Sequence, residues 1–419
     1  LPFLRIWTGK EQSPFSSDGI PVKGRFYGIF GPCPRSFVRS RLLLMSPWVR
    51  MSSFFRQAAF PACCACLLSV AGAIRGQEGE AELPSVEPLS CAHAPDGRVT
   101  VRGAVMGTVF TVRAYPGSGM DAEDAERICG EALACAVHWE KVMSAMDAES
   151  GLARLNAAEY GISVPVSPEL ERVLLLSLNY ARLTNGAFDP TLGPCIRLWK
   201  KSRRLGVLPS DAERECALRA CGWEKLSVRK GMAVKAVSGM RLDLGGMGKG
   251  FAVDRMAEML KTRGICSFFI DSTSDVLAGA PPPGEPGWRL RGDTGRGQGE
   301  VLLLSHAAVS TSGSARQMVK IGGKAYSHVL DPRSGLGVTE GRQVSVRASS
   351  AALADALATA GCVMREEEFR SLAAGLPGVS VPAFFQSPPC SAGETQKQDG
   401  LRKEGGMGSM KGMTKQLRF

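Results

Sequence analysis

The sequence predicts an α+β fold with a mainly antiparallel sheet core and packed helices. Three observations lead there. Between residues 99 and 385, strand-like and helix-like stretches are mixed without the strict alternation of a parallel sheet. Several short apolar runs of β-rich composition are separated by Gly-containing turns. The composition is ordinary and globular, 44% hydrophobic and 22% charged over 419 residues, long enough for one large domain or two smaller ones.

The elements follow in order. Residues 1–50 are rich in Arg, Pro, Gly and Ser and carry no usable periodicity, so they read as an over-extended or disordered N-terminus. Residues 51–73 contain Arg56, an apolar stretch and Ala71-Gly72-Ala73, the layout of a secretory signal peptide. Residues 74–98 are a polar linker, with order expected from Val99. VRGAVMGTVFTVRAY reads as two short strands around Gly107. Residues 121–146 carry Ile128, Leu133, Val137 and Val142 at helical spacing. Ser167-Pro168-Glu169 starts a second helix, which Asn185-Gly186 ends. AFDPTLGP is a loop, and 211–220 a short helix. KLSVRKGMAVKAV and RLDL read as strands. KGFAVDRMAEMLKTRG is a helix closed by Gly264, and CSFFIDSTSDVLAG a buried strand. WRLRGD, VLLLS, AAVSTSG, a pair around 317–330 and RQVSVRA are further strands. A helix at 350–363, a short one near 366–374 and a strand at 378–385 complete the domain. Residues 386–419 have the composition of a disordered tail.

The formal net charge of +11 is concentrated at the ends: eight Lys or Arg against two acids in the first fifty residues, five against one in the last twenty. With 7% aromatic residues and no interleaving of basic and aromatic side chains, no nucleic-acid partner is expected. Cys63, Cys64 and Cys66 lie in the apolar N-terminal run. The nine cysteines beyond it show no metal or redox spacing. None of the first three follows a Leu by three positions, so a cleaved leader is favoured over a lipid anchor to the membrane.

Four stretches could carry chemistry. LDLGGMGKGFAVD, residues 242–254, places four glycines and Lys249 at the opening of a helix. Glycine permits close backbone approach, and a helix N-terminus presents free N–H groups to an anion, a diphosphate above all. The glycines fall as GGxGxG, not as the GxGxxG of a dinucleotide turn, and no Walker Lys-Ser/Thr pair follows. AYSHVLDPRSG holds His328 on an expected strand, where an imidazole can act as a general base or serve only as structure. In AALADALATA, Asp355 and Thr359 interrupt an otherwise apolar helix four residues apart, on one face. GAFDPTLGP adds a rigid carboxylate, Asp189.

MGTVFTV, GAFDPTLGP, LDLGGMGKGFAVD, VSTSG followed by YSHVLDPRSG, and ADALATA occur in this order. Together they resemble the FAD:protein FMN transferase family, the ApbE flavin transferases, over roughly residues 99–385. The signal-peptide layout of residues 51–73 leads one to expect an exported protein, periplasmic or anchored at the outer face of the inner membrane, and the resemblance implies an enzyme. It would take FMN from FAD and attach it to a Thr or Ser hydroxyl of a flavin-accepting protein subunit, releasing AMP. It implies Mg²⁺ held by Asp355, Thr359 and the backbone carbonyl of Gly248, where the family usually has Ala. It implies His328 as the base that takes the proton of the incoming hydroxyl. Met106, the loop Ala187, Phe188 and Asp189, Asp243, and the turn from Gly245 through Lys249 to Phe251 match FAD-contacting segments.

Two segments depart from the family pattern. The family's N-x-G-G-[DE] is here Asp271-Ser272-Thr273-Ser274-Asp275. Where the family has an aromatic residue to pack on the flavin ring, Met146 is the nearest candidate. An FAD pyrophosphatase yielding FMN and AMP, and a non-catalytic periplasmic flavin-binding protein, are the alternatives. The intact metal and His motifs favour transfer.

Overall fold

A computed structural model describes residues 83–84, 87–293, 298–313 and 318–387. The expected N-terminal segment at 1–50, the signal peptide at 51–73 with its cysteines, and the tail beyond 387 lie outside the described residues.

The chain enters the fold at β1 (Ser90–His93), earlier than the expected start at Val99. All four β1 residues are exposed, so the strand carries no apolar alternation to betray it and is held by pairing with β2 (Val99–Val105). In β2 the buried residues are Val99, Val101, Gly103 and Val105, period two with one face on the core. A two-residue turn joins it to β3 (Thr108–Ala114). Met106 and Gly107 both have positive φ, 50° and 71°, the signature of a type I′ hairpin turn. Helix α1 (Ala122–Met143) opens on an Asp121 cap and lays Ile128, Ala132, Leu133 and Ala136 against the sheet.

Helix α2 (Gly151–Ala157) was not expected: at seven residues it is too short to show a period. The strand β4 (Ser163–Pro165) leads to α3 (Pro168–Leu183), capped by Ser167 with Pro168 in its first turn and ended at Asn185-Gly186, as expected. After the Ala187–Pro194 loop, α4 (Gly193–Leu205) corrects the sequence reading. Gly193 and Pro194 suggested only a loop, but Pro sits in the first turn, where its missing N–H costs nothing, and Gly206 closes the helix. Then come α5 (Asp211–Arg219), with a full capping box, and the hairpin β5 (Leu226–Arg229) and β6 (Met232–Lys235), to which β4 adds a third strand. RLDL is not a strand. Arg241 makes one isolated bridge to Leu192, and the segment is extended because it is bonded to the loop before α4.

Helix α6 (Gly248–Thr262) follows the Gly-rich turn. CSFFIDSTSDVLAG is two strands rather than one, β7 (Phe268–Asp271) and β8 (Asp275–Ala278), folded back on each other through a polar turn. The hairpin β9 (Trp288–Asp293) and β10 (Gln298–Leu304) packs Trp288 and Leu304 near Phe269 and Val309. β11 (Ala307–Gly313) returns to the main sheet. Short hairpins β12 (Val319–Ile321) with β13 (Lys324–Tyr326), and β14 (Leu330–Asp331) with β15 (Leu336–Gly337), come next. β16 (Gly341–Ala348), α7 (Ala351–Gly361), α8 (Glu366–Ala374) and β17 (Ser380–Ser387) finish the chain.

The main sheet runs β1-β2-β3-β7-β8-β11-β16-β17, every neighbour antiparallel. The α+β expectation with a mainly antiparallel sheet therefore holds. Helices α1, α6 and α7 build the principal core with Phe110, Phe268, Leu133 and Met256, each buried to 0% exposure. Side chains of this size contribute roughly 1.5–3 kcal/mol each when fully buried.

Candidate active site

The contact of α6 with α7 sets the site. A Cβ on Gly250 would lie 2.4 Å from the Ala351 carbonyl oxygen, so only glycine lets the two helices approach this closely. Asp254, one turn further along α6, accepts the backbone N–H groups of Ala351 and Ala352 at 2.7 and 2.9 Å and the Ser350 hydroxyl at 2.7 Å. One carboxylate thus satisfies the first two free N–H groups of α7, leaving that of Leu353 to the Ser350 hydroxyl, and anchors the start of α7 on α6.

This crossing places Asp355 at the N-terminus of α6. The residue is 3% exposed, and Oδ2 accepts the Gly250 N–H at 3.2 Å. Lys249 Nζ stands 3.9 Å from the same oxygen and 3.4 Å from Oδ2 of Asp275. Burial first, and then the Asp275 charge, push the Asp355 carboxyl up to about 8, against the pull of Lys249 and the Gly250 N–H. Lys249 is held well above the usual ammonium range by Asp355 first and Asp275 second, against the effect of burial. One turn on from Asp355, the Thr359 hydroxyl donates to the Gly246 carbonyl at 3.3 Å and lies 3.3 Å from the Ser312 hydroxyl.

Asp275 is the residue that sequence reasoning missed as a site member. It is fully buried, begins β8, and accepts hydroxyls from Ser310, Ser272 at 3.1 Å and Ser274 at 2.8 Å. The signal was the acidic position ending the 271–275 segment, obscured because both family glycines are replaced. Thr273, in the place of the first, is forced to φ 79°, and its hydroxyl is tied to that of Thr108 at 2.9 Å.

The expected loop and turn come together. Asp243 N–H donates to the Pro190 carbonyl at 2.9 Å, and Gly193 N–H to that of Arg241 at 3.1 Å. Phe188 is buried under the turn: a Cβ on Gly246 would meet its ring at 3.2 Å and the Thr359 methyl at 3.4 Å. Ala187 is partly buried beside it. Asp189 accepts both the N–H and the hydroxyl of Thr191, at 2.7 and 2.6 Å, while burial raises its carboxyl above the ordinary range. The Asp243 carboxylate accepts the N–H of exposed Gly245 at 2.9 Å.

Other residues stand differently. Gly248 begins α6, its N–H donating to the Leu244 carbonyl; the turn carbonyl that meets Thr359 is that of Gly246. Phe251 turns away from the turn surface. Its ring is 2% exposed and packs edge-on against Trp139 at 4.8 Å, so it supports the turn from behind rather than presenting a ring to a ligand. Met146 is 88% exposed beyond the end of α1, and Met106 donates its N–H to Glu140 of α1 at 2.9 Å. His328 is not on a strand. It lies in a bend between β13 and β14, where the Ser327 hydroxyl accepts the Val329 N–H at 3.0 Å and turns the chain. Its outer surface is exposed. Partial burial of the ring, then the Arg203 and Lys249 charges, lower its pKa below the ordinary imidazole value. A cavity of about 1560 Å³ lined by Arg197, Lys201, Lys235 and Arg241 contains none of these residues.

The donors suit a hard divalent cation. Asp355, Thr359 and the turn carbonyls offer oxygen alone, and a carboxylate this deeply buried is short of compensating charge. Among the described residues no group of three or more His, Cys, Asp or Glu side chains is placed to hold a metal, so waters and a ligand's phosphate oxygens would have to complete the shell.

Known proteins resemble this chain in sequence and in fold. The FAD:protein FMN transferase of Treponema pallidum (strain Nichols) is 31% identical over 301 residues, 67% of this chain and 83% of that protein. The crystal structure of the Pseudomonas stutzeri flavinyl transferase ApbE, apo form, is 29% identical with a TM-score of 0.59, covering 66% of this chain and 87% of that one. The flavin transferase ApbE from Vibrio cholerae is 25% identical with a TM-score of 0.62, covering 71% and 97%. The model of the ApbE family matches residues 106–382, the span that holds the main sheet from β3 to β16, both crossing helices and every expected site residue. The chain belongs to the ApbE family.

Proposed function

We propose that this protein transfers FMN from FAD to a Thr or Ser hydroxyl of a target flavoprotein and releases AMP. The observation that carries the reading is the meeting of the glycine-rich start of α6 with the Asp355–Thr359 face of α7, inside the span matched to the family. The relatives named FAD:protein FMN transferase supply the reaction; the site supplies the means.

The α6 N-terminus and Lys249 form a positive end into which the FAD diphosphate fits. Asp355, Thr359 and a carbonyl of the Gly246–Gly248 turn would hold Mg²⁺. When bound, that ion neutralises charge on the diphosphate as its bridge breaks. The Ala187–Asp189 loop and Asp243 flank the turn and would orient the nucleotide, Met106 would reach it from the β2–β3 hairpin turn, and Met146 offers an exposed apolar surface at the end of α1. His328, with its pKa lowered, is neutral near pH 7 and takes the proton of the acceptor hydroxyl. The hydroxyl oxygen then bonds the FMN phosphorus, the diphosphate bridge breaks, and AMP leaves. The reading of residues 51–73 as a signal peptide supports export, to the periplasm or to the outer face of the inner membrane.

The test is incubation with FAD, Mg²⁺ and a protein carrying a candidate Ser/Thr acceptor motif. Flavin fluorescence on the acceptor band in a denaturing gel supports transfer. FMN and AMP in solution with an unlabelled acceptor support hydrolysis, and intact bound FAD supports a binding protein.

A further inference from the structure

We propose that Cys195 and Cys221 are a disulfide-forming pair that braces the loops carrying Asp189 and His328. Their Sγ atoms lie 3.6 Å apart, with exposures of 1% and 6%. One sits in the first turn of α4 and the other just beyond α5, so the bond would close a loop over residues 195–221 around α5. A disulfide needs about 2.05 Å between sulfurs, an approach within reach of small side-chain rotations. Among the described residues, besides facing each other, the pair makes one further hydrogen bond, from Cys221 Sγ to the helix carbonyl of Ala217 at 3.1 Å, and neither belongs to a metal-holding group of three.

The surroundings give the bond its consequence. Gly222, next to Cys221, donates its N–H to the Thr191 hydroxyl at 2.8 Å, and that hydroxyl donates to Asp189 at 2.6 Å. On the other side, Trp199, one turn along α4 from Cys195, donates its indole N–H to the Ser327 carbonyl at 3.0 Å, the residue before His328. A covalent bond here locks α4 to the segment that orients Asp189. The co-reactant is a disulfide, small-molecule or protein. One cysteine thiolate attacks it and expels a thiol. The neighbouring thiolate then displaces the second, so one external S–S bond and two cysteine S–H bonds are exchanged for one Sγ–Sγ bond and two external thiols.

The reduced full chain is incubated with oxidised glutathione, blocked with an alkylating agent, digested with trypsin without reduction and mapped by mass. Exposed Cys216, in peptide 215–219, reports that the oxidant has acted. The expected product is peptide 183–197 joined to 220–225, two hydrogens lighter than their sum. The melting temperature should rise by about 5 °C or more in the wild type, and not in Cys195→Ala or Cys221→Ser. The proposal is overturned if both peptides carry alkylated or glutathionylated cysteine once Cys216 is consumed, or if either joins the Cys216 peptide equally often. The readout needs no transfer activity, so its failure and that of the proposed reaction are distinguishable.

Discussion

His328 and Thr273 show at residue scale how surroundings set chemistry. His328 must be neutral to accept a proton, and its pKa lies below the ordinary value of about 6.5. The acidic limb of the transfer rate should therefore fall below pH 6.5, because lowering the pKa extends the neutral form to more acidic pH. His328→Ala should lose that limb and about 10²- to 10⁴-fold in rate, with FAD affinity unchanged. A joint loss of affinity and melting temperature would make the residue structural instead. Thr273 holds a β-branched side chain at φ 79°, where the family resemblance leads one to expect Gly. Replacing it with Gly should stabilise the fold by up to about 1 kcal/mol, the strain of the left-handed conformation less the lost hydroxyl contact. A lower denaturation midpoint would show that the Thr108 hydrogen bond outweighs the strain. Asp355, Thr359 and Lys249 were legible in the sequence because polar residues interrupt an apolar helix and a glycine run. Asp275 was not, because its neighbours hide the motif and only folding brings Lys249 to it.

The decisive element-scale feature is the crossing of α6 and α7. Gly250→Ala would drive a methyl into the Ala351 carbonyl and part the helices, and should lower both stability and Mg²⁺-dependent FAD binding. Asp254→Ala strips three donors at the start of α7 of their acceptor and should cost about 1–3 kcal/mol in denaturant unfolding. Unchanged unfolding would mean that Ser350 alone caps α7. Long, capped helices such as α3 and α6 could be read directly, since Ser167, Pro168 and Gly264 mark their ends. β1 could not, because an exposed strand leaves no hydrophobic pattern. The bend at His328 was equally hidden: it depends on the Ser327 hydroxyl and on the Trp199 indole, from a helix 128 positions away.

The whole molecule joins three distant segments, the 187–194 loop, the 243–250 turn and α7, into one oxygen-lined site backed by an antiparallel sheet. Asp355→Ala should keep the fold and lose Mg²⁺-dependent turnover by about 10²-fold or more, whereas Thr359→Val removes only a hydroxyl and should cost less. Full activity with an unchanged Mg²⁺ requirement in Asp355→Ala would move the metal elsewhere. The central claim is that FMN leaves FAD for a protein hydroxyl rather than for water. It is tested most directly by measuring, in one reaction with FAD, Mg²⁺ and acceptor, the AMP released and the FMN covalently attached, the latter by intact mass of the acceptor. Equal amounts of the two are expected, with attachment lost when the acceptor Ser or Thr is replaced by Ala. AMP released with free FMN and an acceptor of unchanged mass would contradict that claim.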